Sequence, residues 1–427
     1  MSFSQQNLLN QLAELERVAG KPARYVLALS GGLDSTVLLH ALASSRESHG
    51  KPLLAVHIDH QLHPDSPSWA QSCARLASRL DVEYVCEQVT VDDRAGRGPE
   101  ASARDARYDV FSRMITAGDW LLSAHHRDDQ AETLLLNLMR GSGPSGIAGI
   151  PAVRQFVDGW LVRPMLGVSR DDIRAYAESH DLAWTEDPSN ESDEFDRNYL
   201  RQEILPRLES RWPQTGRRIV RSAELAREAA ELLAELAALD LASMCTAQGR
   251  IDLDGLRALS APRQKNLLRY AIQQQGLPAP TAAQLQSVLV DLLPARDDAE
   301  PLVRWPGVDV RRYRNQLYLL RSPEAATYGD VELVAGAPRG LSDEVVRAGL
   351  EIRFRAGGEE FRPSGQTHTR KLKKLLQEEG VVPWMRDRLP LLYSGDRLVA
   401  VADLWLADGV VSEPGTAVRW KRRPALH

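Results

Sequence analysis

Leu29-Ser30-Gly31-Gly32-Leu33-Asp34-Ser35-Thr36 stands between two apolar runs of different period. Before it, Tyr25-Val26-Leu27-Ala28-Leu29 is continuously apolar and reads as a strand buried on both faces. After it, Val37-Leu38-Leu39-His40-Ala41-Leu42 has helical spacing. Strand, glycine turn and helix in that order favour an anion. Glycines let the backbone turn sharply and approach a ligand, and the first helical turn offers unpaired N–H groups and the positive end of the helix dipole. No lysine follows the second glycine, so the Walker pattern of kinases and GTPases is absent. Asp34 suits a bare phosphate poorly, but it suits a cation such as Mg²⁺ placed between carboxylate and phosphate. The competing reading is a tight turn in which Ser and Asp act only as caps. Six matching residues in a strand–helix context weigh against it.

Composition bounds the rest. A chain of 427 residues has room for two or three domains, and 43% hydrophobic with 26% charged residues is ordinary for a soluble globular protein. No apolar run approaches a membrane span, and Met1-Ser2-Phe3-Ser4-Gln5-Gln6 lacks a basic region leading into a signal-type stretch. A cytoplasmic protein without membrane contact is expected. Cys73, Cys86 and Cys245 lie far apart without a C-x-x-C, which argues against a disulfide framework or a zinc site and leaves packing as their expected role. A net charge of −5 does not advertise a nucleic-acid binder, so local patches must decide.

Around the glycine loop the chain alternates. A helix is expected over 7–18, strands over 53–59 and 83–89, and a helix between them over 69–80. This β-α-β alternation predicts a parallel, doubly wound sheet with ligand at the carboxyl ends of its strands. His57 and Asp59 fall at such an end; they either line an adenosine pocket or form a solvated pair. The segment 92–99 is polar and expected as a loop, followed by a helix over 100–117. On that helix Glu100, Arg104 and Arg107 share a face with Tyr108 beside it. Arg104 is placed either to compensate phosphate charge or to pair with Glu100 in solvent.

A second dense cluster, His125-His126-Arg127-Asp128-Asp129-Gln130-Ala131-Glu132-Thr133, follows a strand expected over 120–124. Leu134, Leu135, Leu138 and Met139 have helical spacing, so a helix begins near Asp128 and projects Asp129 and Glu132 from one face of its first turn. Asp128 is placed either to join this cluster or to serve only as a cap. The run 141–149 is glycine-rich and too long for an ordinary turn, and is expected as a mobile loop over the site. A capped helix over 169–180, a polar loop over 186–190 and a helix starting at Arg197-Asn198-Tyr199-Leu200-Arg201 follow.

The rest of the chain carries fewer sharp signals. Arg217-Arg218-Ile219-Val220-Arg221 leads into Ala- and Leu-rich helices over 222–241, and another helical stretch spans 264–275. Short β-type runs punctuated by glycine fill the last hundred or so residues. Arg362, Arg370, Lys371, Lys373 and Lys374 stand in an acid-free segment, and Arg419-Trp420-Lys421-Arg422-Arg423 repeats the theme. Such clusters position a phosphate backbone or form a solvated face, and Trp384 and Trp420 nearby serve stacking or packing.

The loop Ser30-Gly31-Gly32-Leu33-Asp34-Ser35 resembles that of the PP-loop ATP-pyrophosphatases. With 124–133, Arg140-Gly141-Ser142-Gly143, Glu186-Asp187-Pro188-Ser189-Asn190, Arg197-Asn198-Tyr199-Leu200-Arg201, 370–378 and 383–392, the chain resembles the tRNA(Ile)-lysidine synthetases within that family. The resemblance runs nearly the whole length, and over about 215–325 it rests on order and length. It implies an α/β fold, a doubly wound parallel sheet of the PP-loop, adenine nucleotide α-hydrolase-like kind. It also implies a catalytic domain over 1–214, a helical tRNA-binding domain over 215–325 and a small mixed, mainly β, tRNA-binding domain over 326–427.

The implied reaction adenylates the wobble cytidine of the CAU anticodon of tRNA(Ile) with ATP, releases pyrophosphate, and lets the ε-amine of free L-lysine displace AMP. Codon reading then changes from AUG to AUA and amino-acid identity from methionine to isoleucine. On this resemblance Ser30, Gly31, Gly32, Leu33, Asp34 and Ser35 hold ATP, with His57 and Asp59, and Asp34 holds Mg²⁺. Catalytic candidates are Asp34, Arg104, His125, His126, Asp129, Glu132 and Arg197; the choice between the two histidines stays open. Asp129, Glu132 and Asn190 are candidates for lysine. Arg217, Arg218, Arg362, Arg370, Lys371, Lys373, Lys374 and Arg386 are candidates for tRNA. Monomer and homodimer both remain open. The rivals are a tRNA thiolase, for which the cysteines are lacking, an amidotransferase, for which no glutaminase domain is evident, and a non-catalytic nucleotide or tRNA sensor.

Overall fold

A computed structural model of the chain describes residues 3–90, 99–186, 196–246, 248–296, 299–322, 330–421, 423 and 426, with the side chains of 99–101 left out. Two compact units divide it, Met1–Leu232 and Leu233–His427. The first contains strands β1 (Tyr25–Ala28), β2 (Leu53–Asp59), β3 (Glu83–Gln88), β4 (Trp120–Leu122), β5 (Val153–Phe156) and β6 (Gly159–Val162). They form one sheet in the order β3-β2-β1-β4-β6-β5, parallel except for the β5–β6 pair. Its helices include α1 (Gln5–Ala19), α2 (Leu33–Ser44), α3 (Arg46–His49), α4 (Ser66–Arg79), α5 (Pro99–Met114), α6 (Arg127–Met139), α7 (Pro144–Ile147), α8 (Arg170–Ser179) and α9 (Asp196–Tyr199), followed by a helix over Leu205–Arg211.

The unbroken apolar character of β1 follows from helices covering both faces. Tyr25 and Leu27 enter a core with Leu8 of α1, Leu38 of α2 and Ile173 of α8, whereas Val26 enters the opposite core with Phe111 of α5. The strand order reverses direction between β1 and β4. The loops leaving those two strands therefore flank the switch point, where doubly wound sheets bind ligands.

Two features depart from expectation. The run 141–149 is not a free loop: it contains α7, and Gln130 clasps its end, donating to the Ile150 carbonyl at 2.7 Å and accepting from the Ile150 N–H at 2.6 Å. Asn137 donates to the Gly146 carbonyl at 2.7 Å. The β5–β6 hairpin was not expected, because Arg154 and Gln155 on the exposed edge strand break any apolar run. The loop 92–98 and the residues 187–195 lie outside the described residues.

In the second unit, helices Ala261–Gln274 and Ala282–Ser287 pack on a four-stranded antiparallel sheet, so the middle segment is helical with a sheet attached. The expected helices over 222–241 form one helix, Thr215–Met244. A further core gathers Phe361, Leu372, Leu376, Leu391, Val399 and Trp420 among short antiparallel strands. Trp420 is buried and Trp384 meets Tyr318 edge-on at 5.1 Å, so both tryptophans pack. Among the described residues no helix is long and apolar enough to cross a membrane.

Candidate active site

The glycine loop is held open from within. Ser35 Oγ lies 3.0 Å from Ser30 Oγ, accepts from the Ser30 N–H at 3.2 Å and donates to the Gly32 carbonyl at 3.1 Å. Gly32 is the N-cap of α2 without a side chain to cap it, so the first-turn N–H groups are left for a ligand. Gly31 sits at φ +86°, and a Cβ there would meet Cys73 Sγ at 2.9 Å. Cys73 is thus the floor of the loop, and burial pushes its thiol up to about 12. Packing explains Cys73 only; Cys86 and Cys245 are exposed. Gly31→Ala is expected to destabilise the protein by about 2–4 kcal/mol, combining left-handed strain with overpacking, and to raise the KM for ATP. Thermal melts and ATP titration check both; an unchanged KM would remove Gly31 from the nucleotide loop.

Opposite stands the α6 terminus. His126 caps this helix: its ring Nδ1 accepts from the Asp128 N–H at 3.2 Å while its backbone N–H donates to Asp129 Oδ2 at 2.9 Å. With Nδ1 accepting, Nε2 is the ring nitrogen left to donate. That nitrogen lies 3.7 Å from Asp34 Oδ2 and 3.6 Å from Asp129 Oδ2. One buried imidazole therefore joins the loop after β1 to the loop after β4. Asp34 Oδ1 is buried with no hydrogen-bond partner among the described residues. Burial pushes the Asp34 carboxyl above the usual range, and nearby Asp129 adds to this, while His126 pulls it down. An orphaned buried carboxylate oxygen beside a phosphate loop fits a divalent cation.

Glu132 and Asp129 meet Arg201, a residue missing from the sequence-based candidates. Arg201 Nε donates to Glu132 Oε1 at 2.7 Å, Nη2 to Oε2 at 3.0 Å, and Nη2 reaches Asp129 Oδ1 at 3.4 Å. Glu132 is fully buried, and burial raises its carboxyl despite Arg201. Asp129 differs: burial opposes its charge, but His126, His125 and the His126 N–H hold it below the usual range. Arg201 lies in a π-helical turn, Leu200–Ile204, between α9 and the next helix. Such turns recur at functional sites. Its spacing from Arg197, one helical turn on, was the available signal.

The other candidates scatter. Arg197 is half-buried and close enough to add positive field at Glu132 and His125. His125 turns aside to Ser123 Oγ at 2.7 Å, and burial lowers it to about 4. His57 Nδ1 points back to the Leu29 carbonyl at 2.9 Å, and Asp59 accepts from the Gln61 N–H at 2.9 Å. Both are buried in strand-end structure. Arg104 is exposed, its guanidinium carbon 5.6 Å from the Tyr108 ring centre. Asn190 lies outside the described residues.

Of the tRNA candidates, Arg217 and Arg218 are exposed on the first turns of Thr215–Met244, and Lys371, Lys373 and Lys374 are exposed at Leu372–Glu378. Arg362 pairs with Asp408 and Arg370 with Glu378. Arg386 is tied inward, donating to the Val381 carbonyl at 2.9 Å and to the Tyr313 hydroxyl at 2.9 Å. Arg422 lies outside the described residues.

Comparison with known proteins adds three family models: a PP-loop domain over residues 3–208, a TilS substrate binding domain over 251–318 and a TilS substrate C-terminal domain over 350–421. A tRNA(Ile)-lysidine synthase of Alkalilimnicola ehrlichii is 40% identical over 95% of this chain and 95% of its own. One from Coxiella burnetii is 38% identical over 91% of this chain and 90% of its own. Among solved structures, a U34-tRNA thiolase from Methanococcus maripaludis has a TM-score of 0.44 at 18% identity, covering 52% of this chain and 79% of its own. A phosphate loop joined through His126 to an acidic helix start, with near-full-length identity at this level, means that the chain belongs to the tRNA(Ile)-lysidine synthase family of C–N ligases.

Proposed function

We propose that the chain attaches free L-lysine to C2 of the wobble cytidine in the CAU anticodon of tRNA(Ile) in two steps at one site. ATP first adenylates the C2 oxygen with loss of pyrophosphate, and the lysine ε-amine then displaces AMP. The observation that carries this reading is the continuous run Arg201–Glu132, Arg201–Asp129, His126 and Asp34, which ends on the glycine loop. A nucleotide sensor needs the loop alone.

In this reading the Ser30–Ser35 loop and the first N–H groups of α2 receive the pyrophosphate. Mg²⁺ at Asp34 supplies, when bound, positive charge for the leaving group. His126 offers its Nε2–H at the junction, and Arg197 and Arg201 set positive charge beside the α-phosphate. Glu132 spends both oxygens on Arg201 and so positions it; direct contact with lysine requires Arg201 to yield one. The longest of the Arg201 contacts, to Asp129 Oδ1 at 3.4 Å, is the one an ammonium group displaces most easily. A carboxylate held below its usual range makes a good ion-pair partner and a weak base, so Asp129 holds lysine as a cation. Desolvation of the ammonium then eases loss of its proton to solvent water, and the free amine forms the C2–N bond as the bond from C2 to the AMP oxygen breaks.

We further assign the exposed Arg217, Arg218, Lys371, Lys373 and Lys374 to the tRNA backbone, a division into parts 1–214, 215–325 and 326–427, and a cytoplasmic setting. The test is pyrophosphate release from ATP with every combination of lysine and an unmodified tRNA(Ile) transcript bearing CAU. Release that needs the transcript, with labelled lysine entering the RNA, is expected. Release without lysine entry would overturn the nucleophile, and ATP binding with no release would overturn catalysis.

A further inference from the structure

Three arginines from three elements surround Tyr108 of α5. Arg104, one turn earlier on α5, and Arg154, on edge strand β5, each place the guanidinium carbon 5.6 Å from the Tyr108 ring centre. Arg163, directly after β6, is only 5% exposed and lies close enough to Tyr108 for that hydroxyl to strengthen its hold on its proton. Its Nη1 donates to the Pro151 carbonyl at 2.7 Å, and its Nε is buried without a partner among the described residues. Arginine ion pairs in this unit involve Arg24, Arg46, Arg127, Arg201, Arg207 and Arg221. Among the described side chains, which do not include that of Glu100, no carboxylate pairs with Arg104, Arg154 or Arg163.

Such a cluster is unfavourable alone. Burial, then Arg154 and Arg104, weaken the hold of Arg163 on its proton. Cation–π contact returns only about 0.5–1 kcal/mol per exposed arginine. Three guanidinium forks with free donors match the oxygens of a phosphate, and one bound anion would relieve the mutual repulsion. In the sheet, β6 is two strands from β1 and β5 three, so the backbone at Arg163 lies roughly 10 Å from the glycine loop at ordinary strand spacing and Arg154 lies farther out. It is nevertheless close enough for Arg163 to act on His125, the neighbour of His126. An anion here stands beside the reacting centre and apart from the ATP phosphates.

We propose that Arg154, Arg163 and Arg104, ordered by Tyr108, bind a phosphodiester group of the RNA strand that presents the target cytidine. The proposal rests on the tRNA-ligase reading above. Arg154 is exposed on an edge strand, so its replacement leaves the fold intact.

The test measures binding of the CAU-bearing tRNA(Ile) transcript by anisotropy across a salt series, with the KM for ATP, for wild type, Arg154→Ala and Arg154→Lys. Arg154→Ala is expected to bind the transcript about five- to tenfold more weakly and to lower the log–log salt slope by about 0.7–0.9, the value of one lost phosphate contact. Arg154→Lys keeps the slope. The KM for ATP stays within about twofold, and the melting temperature of Arg154→Ala does not fall, since like charge is removed. Unchanged RNA affinity and slope beside a wild type that binds would overturn this proposal alone. A raised KM for ATP with unchanged RNA binding would assign the cluster to a nucleotide phosphate and overturn it too. A wild type that does not bind the transcript would overturn the ligase reading.

Discussion

Asp34→Asn is expected to lower tRNA-dependent pyrophosphate release by on the order of 10³-fold and, at the same time, to raise the melting temperature of the ligand-free protein at pH 7 to 8. Both follow from one carboxylate that is buried at Oδ1 and unpartnered among the described residues. Burial raises its folded-state value above the unfolded one, so the native protein binds that proton more tightly. A raised carboxyl contributes stability that is fully present below the unfolded value of about 3.9 and is lost as pH rises through the folded value. At neutral pH the wild type therefore carries an unfavourable charge that Asn lacks, and the difference between the two closes as pH falls toward 4. Mg²⁺ with ATP is expected to stabilise the wild type and leave the variant unmoved. Thermal melts against pH, with and without Mg²⁺-ATP, read this independently of turnover. A variant that melts below wild type at pH 7 would make Asp34 a structural ligand instead.

Arg201→Met is the second large effect. It strands Glu132, which is fully buried and has both oxygens on Arg201, and removing one partner of such a pair costs about 3–5 kcal/mol. The Arg201 side chain is 26% exposed, so the lower end of that range is expected. Glu132→Gln alone costs less, because the amide oxygen still accepts from the guanidinium. The double variant should be more stable than the sum of the two, with a coupling of roughly 1–3 kcal/mol. Without Arg201 only the weaker field of Arg197 opposes burial at Glu132, whose folded value rises further; the penalty grows with pH above about 4.5 and fades below it. Urea unfolding of the four proteins at pH 5 and 8 checks sign and size. Strict additivity, or a penalty that does not change with pH, would mean that the pair does not govern this site.

The family resemblance is borne out by near-full-length identity, and the α/β PP-loop reading by the sheet and the matching domain model. What went unread has a physical pattern. The β5–β6 hairpin lies at an edge where burial is one-sided and Arg154 and Gln155 face out, so no apolar run marks it. The stretch 141–149 has the composition of a free loop, but Gln130 and Asn137 on the preceding helix α6 pin it. Arg386 and Arg362 carry the charge of an RNA contact, yet internal partners occupy both.

The features legible in the residues were those that local chemistry decides: the strand–glycine–helix turn, the start of α6, although its cap is His126 and not Asp128, and the absence of a phosphate-binding lysine in the loop. Their signals are dihedral freedom, periodicity and unpaired N–H groups, all contained within a few neighbouring residues. Only the folded chain decided which charges face one another. It chose His126 over His125 as the link to Asp34, brought Arg201 to Glu132 across 69 positions, and gathered Arg104, Arg154 and Arg163 around one tyrosine. Electrostatic roles depend on distance and burial, and sheet order and helix packing set both over separations that sequence spacing does not record.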